Sequence, residues 1–437
     1  MNKVVAKKVS ELVDVFNNIR VPLSSKQRET LAKIYPYYGA QGIVDFVDNY
    51  LFDGEYILIA EDGENLKSNN QNICNIVQGK FWVNNHAHIV RANAKNSTKY
   101  LYYNFNRIKF EPYVTGSSQP KLNKENLLNI KAYVHENLDD QKSIAKVLSD
   151  LDSKIELNNR INRELEAMAK TLYDYWFVQF DFPNEQGKHY KSTGGKMVYN
   201  AELKREIPEG WENGTLGDIS DLVRGVTYDA SDIKEENDYD VIPILRATNI
   251  SGNVIDLDNM VFVPKQNVSA NQVLNKFDIL ITMSSGSKDH IGKNGFFYFD
   301  KEVAFGAFCA KIIAKHKYRF YVYSYTQSDF MFSTIKNECL GTNINNLNGS
   351  LVKGFKLVIP PADLVEKFND KVLSIYEMIG INHKQNQQLT ELRDWLLPML
   401  MNGQVTVKEA KVRLSMAAEP SVEYKKGGKL YENKIRK

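Results

Sequence analysis

Residues 138–177 read LDDQKSIAKVLSDLDSKIELNNRINRELEAMAKTLYDYWF, with no Gly or Pro in the run. Leu138-Asp139-Asp140 puts two acids in the first turn, where the positive end of a helix dipole favours them. The seam residues are Ile144, Leu148, Leu151, Ile155, Asn158, Asn162, Leu165 and Leu172. Their alternating spacing of four and three is a heptad pattern, which predicts a coiled-coil helix roughly 60 Å long. A helix of that length needs a partner.

The same chain supplies one. Between Asp363 and Leu400 the seam recurs as Phe368, Val372, Ile375, Ile379, Asn382, Asn386, Leu389, Leu392 and Leu396. The first seven match the first helix at a constant offset, Ile144 with Phe368, Asn158 with Asn382 and Asn162 with Asn386. Asn on an apolar seam costs stability but fixes register, because few alignments let the amides pair. The two helices are therefore expected to pack antiparallel, with the Asn layers near the middle.

Around the helices the chain repeats itself. Residues 1–135 read as strands and turns: Tyr35–Gly42, Glu55–Ala60 and Lys80–Val90, with a helix over Thr98–Lys109 and a loop at Thr115–Lys121. Residues 183–361 run through the same themes, Phe277–Thr282 answering Phe52–Ala60 and Val303–Ile313 answering Phe81–Val90. The loop Leu340–Leu347 answers Thr115–Leu122. The predicted fold class is α+β: two α/β domains separated by a pair of long antiparallel helices, an internal pseudo-twofold duplication. The expected boundaries are 1–135 (first domain), 136–182 (central helix), 183–361 (a polar linker over Phe182–Lys196, then the second domain), 362–403 (C-terminal helix) and 404–437 (a Lys-rich, flexible tail).

Composition narrows the function. The 437 residues are 43% hydrophobic and 25% charged, which fits a soluble chain of two or three domains. No run is apolar enough to span a bilayer, and the start lacks a signal peptide's apolar core. Cys74, Cys309 and Cys339 share no metal-type spacing, which suits a reducing, cytoplasmic compartment. The net charge of +3 is uneven: +5 over residues 1–135, −4 over 136–182, −1 over 183–361 and +3 over 362–437. That mild basic excess permits nucleic-acid binding without requiring it.

Catalytic patterns are missing. Gly286–Asn294 resembles a phosphate loop but has the wrong spacing and no terminal Ser or Thr. No Asn/Asp-Pro-Pro-aromatic motif of adenine methyltransferases occurs. His86 and His88 would share one face of a strand, but no third metal ligand presents itself. Asp181, Glu185 and Lys188 hint at a nuclease set, yet fall in the linker.

The run from Ile144 through Leu151-Asp152-Ser153-Lys154-Ile155-Glu156-Leu157-Asn158 to Leu172-Tyr173-Asp174-Tyr175-Trp176-Phe177 resembles the central helix of type I restriction–modification DNA specificity subunits. Ile207-Pro208-Glu209-Gly210-Trp211, Leu389–Leu400 and Trp82-Val83-Asn84-Asn85-His86-Ala87 are similar to the same family, and the resemblance covers residues 9 to 405 approximately. The first half departs from it in lacking an entry like Ile207–Trp211. The resemblance implies that each globular part recognises one half of a bipartite sequence in double-stranded DNA. It implies that the helices space the two parts and dock two methyltransferase (modification) subunits, joined by restriction subunits. The chain would then hold no cofactor: S-adenosylmethionine belongs to the methyltransferase, ATP and Mg²⁺ to the restriction subunit.

Base readout needs hydrogen-bonding side chains on loops that enter the major groove. The first-half candidates are Gln41, Ser117, Ser118, Gln119 and Lys121. The second-half candidates are Arg224, Thr227, Tyr228, Arg246, Asn249, Ser285, Ser287, Lys288, Thr342, Asn343 and Asn345. Asn and Ser also serve turns by bonding their own backbone, so these residues count as loop sets rather than singly. A coiled-coil scaffold with protein-binding ends is the competing reading, separable by salt-dependent retention on duplex DNA.

Overall fold

The computed structural model describes residues 3–68, 71–116, 119–340 and 346–418. Two helices dominate it, Leu138–Tyr173 and Ala362–Met401. Asn137 caps the first, its Oδ1 accepting from the backbone N–H of Asp139 (2.7 Å) and Asp140 (3.2 Å). That cap, with the acids behind it, explains why the helix starts where it does. The two starts, Leu138 and Ala362, keep the same offset as Asn158 and Asn382.

The compact units do not follow the linear order domain, helix, domain, helix. One unit joins everything up to Glu156 with the chain from Gln385 onward; the other is Leu157–Lys384. Each helix is shared. The first half of one and the last half of the other belong to the first unit, and the remaining halves to the second.

In the first unit a six-stranded sheet has the order Val13–Val15, Ala87–Ala92, Phe52–Ala60, Cys74–Val83, Tyr35–Gly39, Gly42–Val47. All neighbours are antiparallel except Tyr35–Gly39 with Cys74–Val83. A separate pair joins Val4–Lys8 to Lys131–His135. One core packs Ile57, Ile59 and Val90 with Tyr100, Leu101 and Phe105 of the helix Thr98–Phe105. Ile144, Leu148, Leu151 and Ile155 meet Leu389 and Leu396 in the same core. Each fully buried Leu or Ile there contributes about 1.5–3 kcal/mol.

The second unit repeats the pairing scheme. Ile279–Thr282 lies antiparallel to Cys309–Ala314, as Phe52–Ala60 does to Ala87–Ala92. Val241–Leu245 runs parallel to Ala304–Phe305, as Tyr35–Gly39 does to Cys74–Val83. Glu212–Thr215 pairs with Lys356–Ile359, as Val4–Lys8 does with Lys131–His135. The duplication read from the sequence is therefore a duplication of topology.

Within this unit the helix segments run antiparallel: Asn162 meets Asn382 at 2.7 Å, while Phe177 meets Phe368 at 5.0 Å between ring centroids. Val372, Ile375, Ile379 and Leu165 line the same core. The contact is thus Asn162 with Asn382, whereas the repeat matches Asn158 to Asn382. Equivalence in a duplicated antiparallel pair is not contact, because the partner runs the other way.

Three further expectations change. The helix expected over Thr98–Lys109 stops at Phe105, because the Asn106 side chain turns back to pair with both the N–H and C=O of Cys74 (2.9 and 3.0 Å). Phe182–Lys196 is not a loose linker. Phe182 stacks on Tyr190 (4.6 Å) and Trp211 (5.1 Å), and the Asp181 carboxylate accepts from the N–H and hydroxyl of Ser192. Asp181 therefore helps to hold a turn. The expected flexible tail carries the helix Val407–Ala418, capped by Thr406 with Glu409. Val407, Ala410 and Leu414 form an apolar stripe against the first unit's core, and Arg413 sits 4.4 Å from the Trp395 ring.

His383 of the second unit stacks on Tyr298 (5.5 Å), and burial holds its pKa down at about 4. An unfolded His titrates near 6.5. The neutral ring therefore contributes stability in full above pH 6.5, and the contribution is lost as pH falls from 6.5 to 4. With the ring only half-buried, we expect His383→Gln to flatten the acid limb by about 2 kcal/mol. Urea melts of both proteins at pH 7 and 4.5 measure it; parallel losses would refute the assignment.

Candidate nucleic-acid interface

In the first unit the candidates converge beyond the ends of Phe52–Ala60 and Ala87–Ala92. Gln41 is exposed in the hairpin turn between Gly39 and Gly42, where Asn65 donates to its Oε1 (3.3 Å). Two residues before Asn65, the Gly63 N–H reaches Pro120 O (3.2 Å), which ties in the loop Thr115–Leu122. Thr115 and Lys121 exchange two backbone bonds of 2.8 Å, closing that loop at its base. Gln119 is exposed at its rim. Ser117 and Ser118 lie outside the described residues.

A buried network fixes the loop from below. His88 is 1% exposed; its Nε2 donates to Leu122 O (2.7 Å), and its Nδ1 accepts from Asn17 Nδ2 (2.8 Å). Burial pushes its pKa below the ordinary value, so the neutral tautomer this pattern needs is the stable one. Glu61 accepts from Arg20 Nη1 (2.6 Å) and pairs with Lys121 (3.3 Å). Burial alone would raise the Glu61 carboxyl, but the bond and charge of Arg20 hold it below its usual range. Lys121 is thus half-committed to Glu61. His86 stands in the turn before the strand, paired with Asp62 (2.7 Å). Because both nitrogens of His88 are engaged, the two imidazoles do not form a ligand pair. No group of three or more His, Cys, Asp or Glu able to hold a metal occurs among the described residues.

In the second unit the loops meet around the turn Phe305–Cys309. Ala307 N–H bonds Val226 O (2.9 Å), Gly306 N–H bonds Leu245 O (2.9 Å), and Met283 and Ser284 N–H both bond Phe308 O (2.8 and 3.1 Å). Leu347 N–H bonds Met283 O (2.7 Å). The segments carrying Arg224, Thr227, Tyr228, Arg246, Ser285, Ser287 and Lys288 are therefore brought together. Arg224, Thr227, Ser287 and Lys288 are exposed; Tyr228 and Ser285 are half-buried. Asn249 departs from expectation. It is 5% exposed, its Nδ2 donates to Asp258 O (2.7 Å), and its Oδ1 accepts from Arg246 N–H (2.9 Å). It builds its loop and has no face for a base. Arg246 itself turns to Asn259 O (2.8 Å). Thr342, Asn343 and Asn345 lie outside the described residues.

Residues 4–167 and 208–391 match the sequence pattern of the type I restriction modification DNA specificity domain. The chain belongs to this family. It is 29% identical over 318 residues to the type I restriction enzyme MjaIX specificity subunit of Methanocaldococcus jannaschii, covering 71% of this chain and 70% of that one. It is 30% identical over 209 residues to the EcoKI specificity subunit of Escherichia coli, covering 46% and 45%. The fold is similar to that of the S subunit of the type I restriction–modification system from M. genitalium. That likeness has a TM-score of 0.58 at 16% identity and spans 92% of this chain and 96% of the other. No helix among the described residues is long and apolar enough to cross a membrane.

Two of the family-like stretches touch in the first unit. Arg393 Nη1 donates to Asp152 Oδ1 (3.0 Å), and Tyr103 OH donates to Asp152 Oδ2 (2.5 Å). Burial and the adjacent carboxylate push the Tyr103 hydroxyl well above its ordinary pKa, so it stays a donor. The trio frames a polar cavity of about 550 Å³ that also includes Lys99, Glu156 and Asp394. Replacing Arg393 by Ala is expected to cost about 2 kcal/mol, since bonds to charged groups contribute about 1.5–3 kcal/mol. A chemical melt reads it. Full rescue by Arg393→Lys would show that charge, not the guanidinium fork, carries the contact.

Sequence reasoning passed over Arg20 and Phe308, and weighed His88 only as a metal ligand. The signal for Phe308 lay in the register between the two halves: Glu61 N–H bonds His86 O as Met283 N–H bonds Phe308 O.

Proposed function

We propose that this chain is the DNA-reading subunit of a type I restriction–modification complex, each unit reading one half of a bipartite duplex sequence. One observation carries the reading. Both units build the same frame of strand ends and turns, yet load it with different side chains: Gln41, Gln119 and Lys121 in one; Arg224, Thr227, Ser287 and Lys288 in the other. A shared scaffold with divergent loops suits two half-sites of unrelated sequence.

The long helices serve as spacer and as docking surface for two modification subunits, with restriction subunits joining the assembly. The chain itself performs no chemistry. S-adenosylmethionine, ATP and Mg²⁺ act in the partners, and the complex works in the cytoplasm.

Co-expression with the cognate modification subunits, followed by methylome sequencing, tests this. A two-part motif with an unread gap is expected, and the purified chain alone should neither methylate nor cleave DNA. A contiguous motif, or turnover by the chain alone, would overturn it.

A further inference from the structure

The turn at the centre of each face is built identically and tipped differently. In the first unit Asn84 N–H bonds Tyr38 O (3.0 Å), Glu61 N–H bonds His86 O (2.9 Å) and Leu122 N–H bonds Glu61 O (2.8 Å). In the second unit Gly306 N–H bonds Leu245 O (2.9 Å), Met283 N–H bonds Phe308 O (2.8 Å) and Leu347 N–H bonds Met283 O (2.7 Å). Three bonds match in order and sense. His86 and Phe308 therefore occupy the same position, one residue before the strands Ala87–Ala92 and Cys309–Ala314.

Phe308 is 67% exposed on a backbone that cannot move far. Its carbonyl holds two N–H groups, and Gly306 lies so close to Gly225 that a Cβ on Gly225 would stand 2.2 Å from Gly306 O. Single exposed apolar residues are common and by themselves mean little. This one is ringed by the segments bearing Arg224, Thr227, Ser285 and Lys288, and its fixed backbone leaves little ordering entropy to lose on contact. At the matching point the His86 ring is 53% exposed, holds Asp62 through Nδ1 and has Nε2 left to hydrogen-bond.

We propose that this turn is a further base-reading position. Phe308 packs on the 5-methyl group of a thymine in the second half-site, the apolar feature that the major groove offers. His86 at the equivalent point gives the first half-site a polar contact, so the two faces differ in kind there. The inference rests on the reading of both faces as DNA-facing.

The test uses the complex with its modification subunits, on duplexes carrying the motif found by methylome sequencing. Each thymine of the second half-site is replaced in turn by deoxyuridine, which lacks only the methyl group. One replacement should weaken wild-type binding about tenfold, the scale of a lost base contact. Phe308→Ala should bind the full site about tenfold more weakly and be indifferent to that replacement. It should also relax one position of the second half-site while leaving the first unchanged. Phe308→Leu should recover most of the affinity, and both variants should melt as wild type because the ring is exposed. Binding by Phe308→Ala equal to wild type, or loss that no deoxyuridine reproduces, would overturn the proposal and leave the two-part reading standing. A wild-type complex with no two-part motif would remove both.

Discussion

Replacing Phe368 with Ala should destabilise the second unit by about 3–5 kcal/mol, the range for deleting a buried Phe. The ring is fully buried and lies 5.0 Å from Phe177, 5.9 Å from Trp176 and 6.4 Å from Tyr173. Those partners sit where the first long helix widens into a π-turn over Asp174–Val178 before the chain reverses at Phe180, whose φ is +64°. A ring cluster around a strained reversal has little freedom to collapse into a cavity, which places the cost toward the upper end. Phe368→Leu keeps most of the volume and should cost about 1–1.5 kcal/mol. Urea denaturation followed by tryptophan fluorescence reads both, with Trp176 and Trp211 inside the same core. A loss below 1 kcal/mol for the Ala variant would mean that the cluster does not anchor the helix junction.

Phe368 also shows what the sequence makes legible. It is the first seam residue of the second helix, found by period alone, and seam periodicity is strong because each helix must bury one stripe. The strand segments and their repetition in the second half were legible in the same way, through repeated apolar runs. Side-chain partnerships were not. Whether Asn382 meets Asn158 or Asn162 depends on helix direction and axial offset, which no one-dimensional period encodes. Phe182–Lys196 looked like a linker because its polar composition hides one decisive residue, Phe182, stacked between Tyr190 and Trp211. Val407–Ala418 was missed because the short stripe Val407, Ala410 and Leu414 makes a weak pattern until a core is there to receive it. On the faces, loop membership was readable but not aim. Asn249 and Lys288 look alike as loop polar residues, yet one is consumed by its own loop and the other is exposed.

The Asn pair supports the second large effect. Asn162 and Asn382 are 4% and 7% exposed, and Asn382 Nδ2 donates to Asn162 Oδ1 at 2.7 Å. Asn162 Nδ2 has no partner among the described residues. Changing Asn382 alone to Leu removes the donor and leaves a buried amide oxygen unsatisfied, at a cost of about 1–3 kcal/mol. Changing both to Leu removes that penalty and the existing orphan donor, and adds apolar contact of nearly the same volume. The double variant should therefore match or exceed the wild type, giving a coupling energy of about 2–3 kcal/mol in a double-mutant cycle. Stability gained this way should come with weaker register control, since only Asn158 and Asn386 then remain as polar markers on the seams. Size-exclusion profiles should then broaden or shift toward associated species, while the single variants stay wild-type in size but less stable. Additive single-variant costs in the melts would show that the two amides do not act as a pair, and that the seam keeps its register by shape alone.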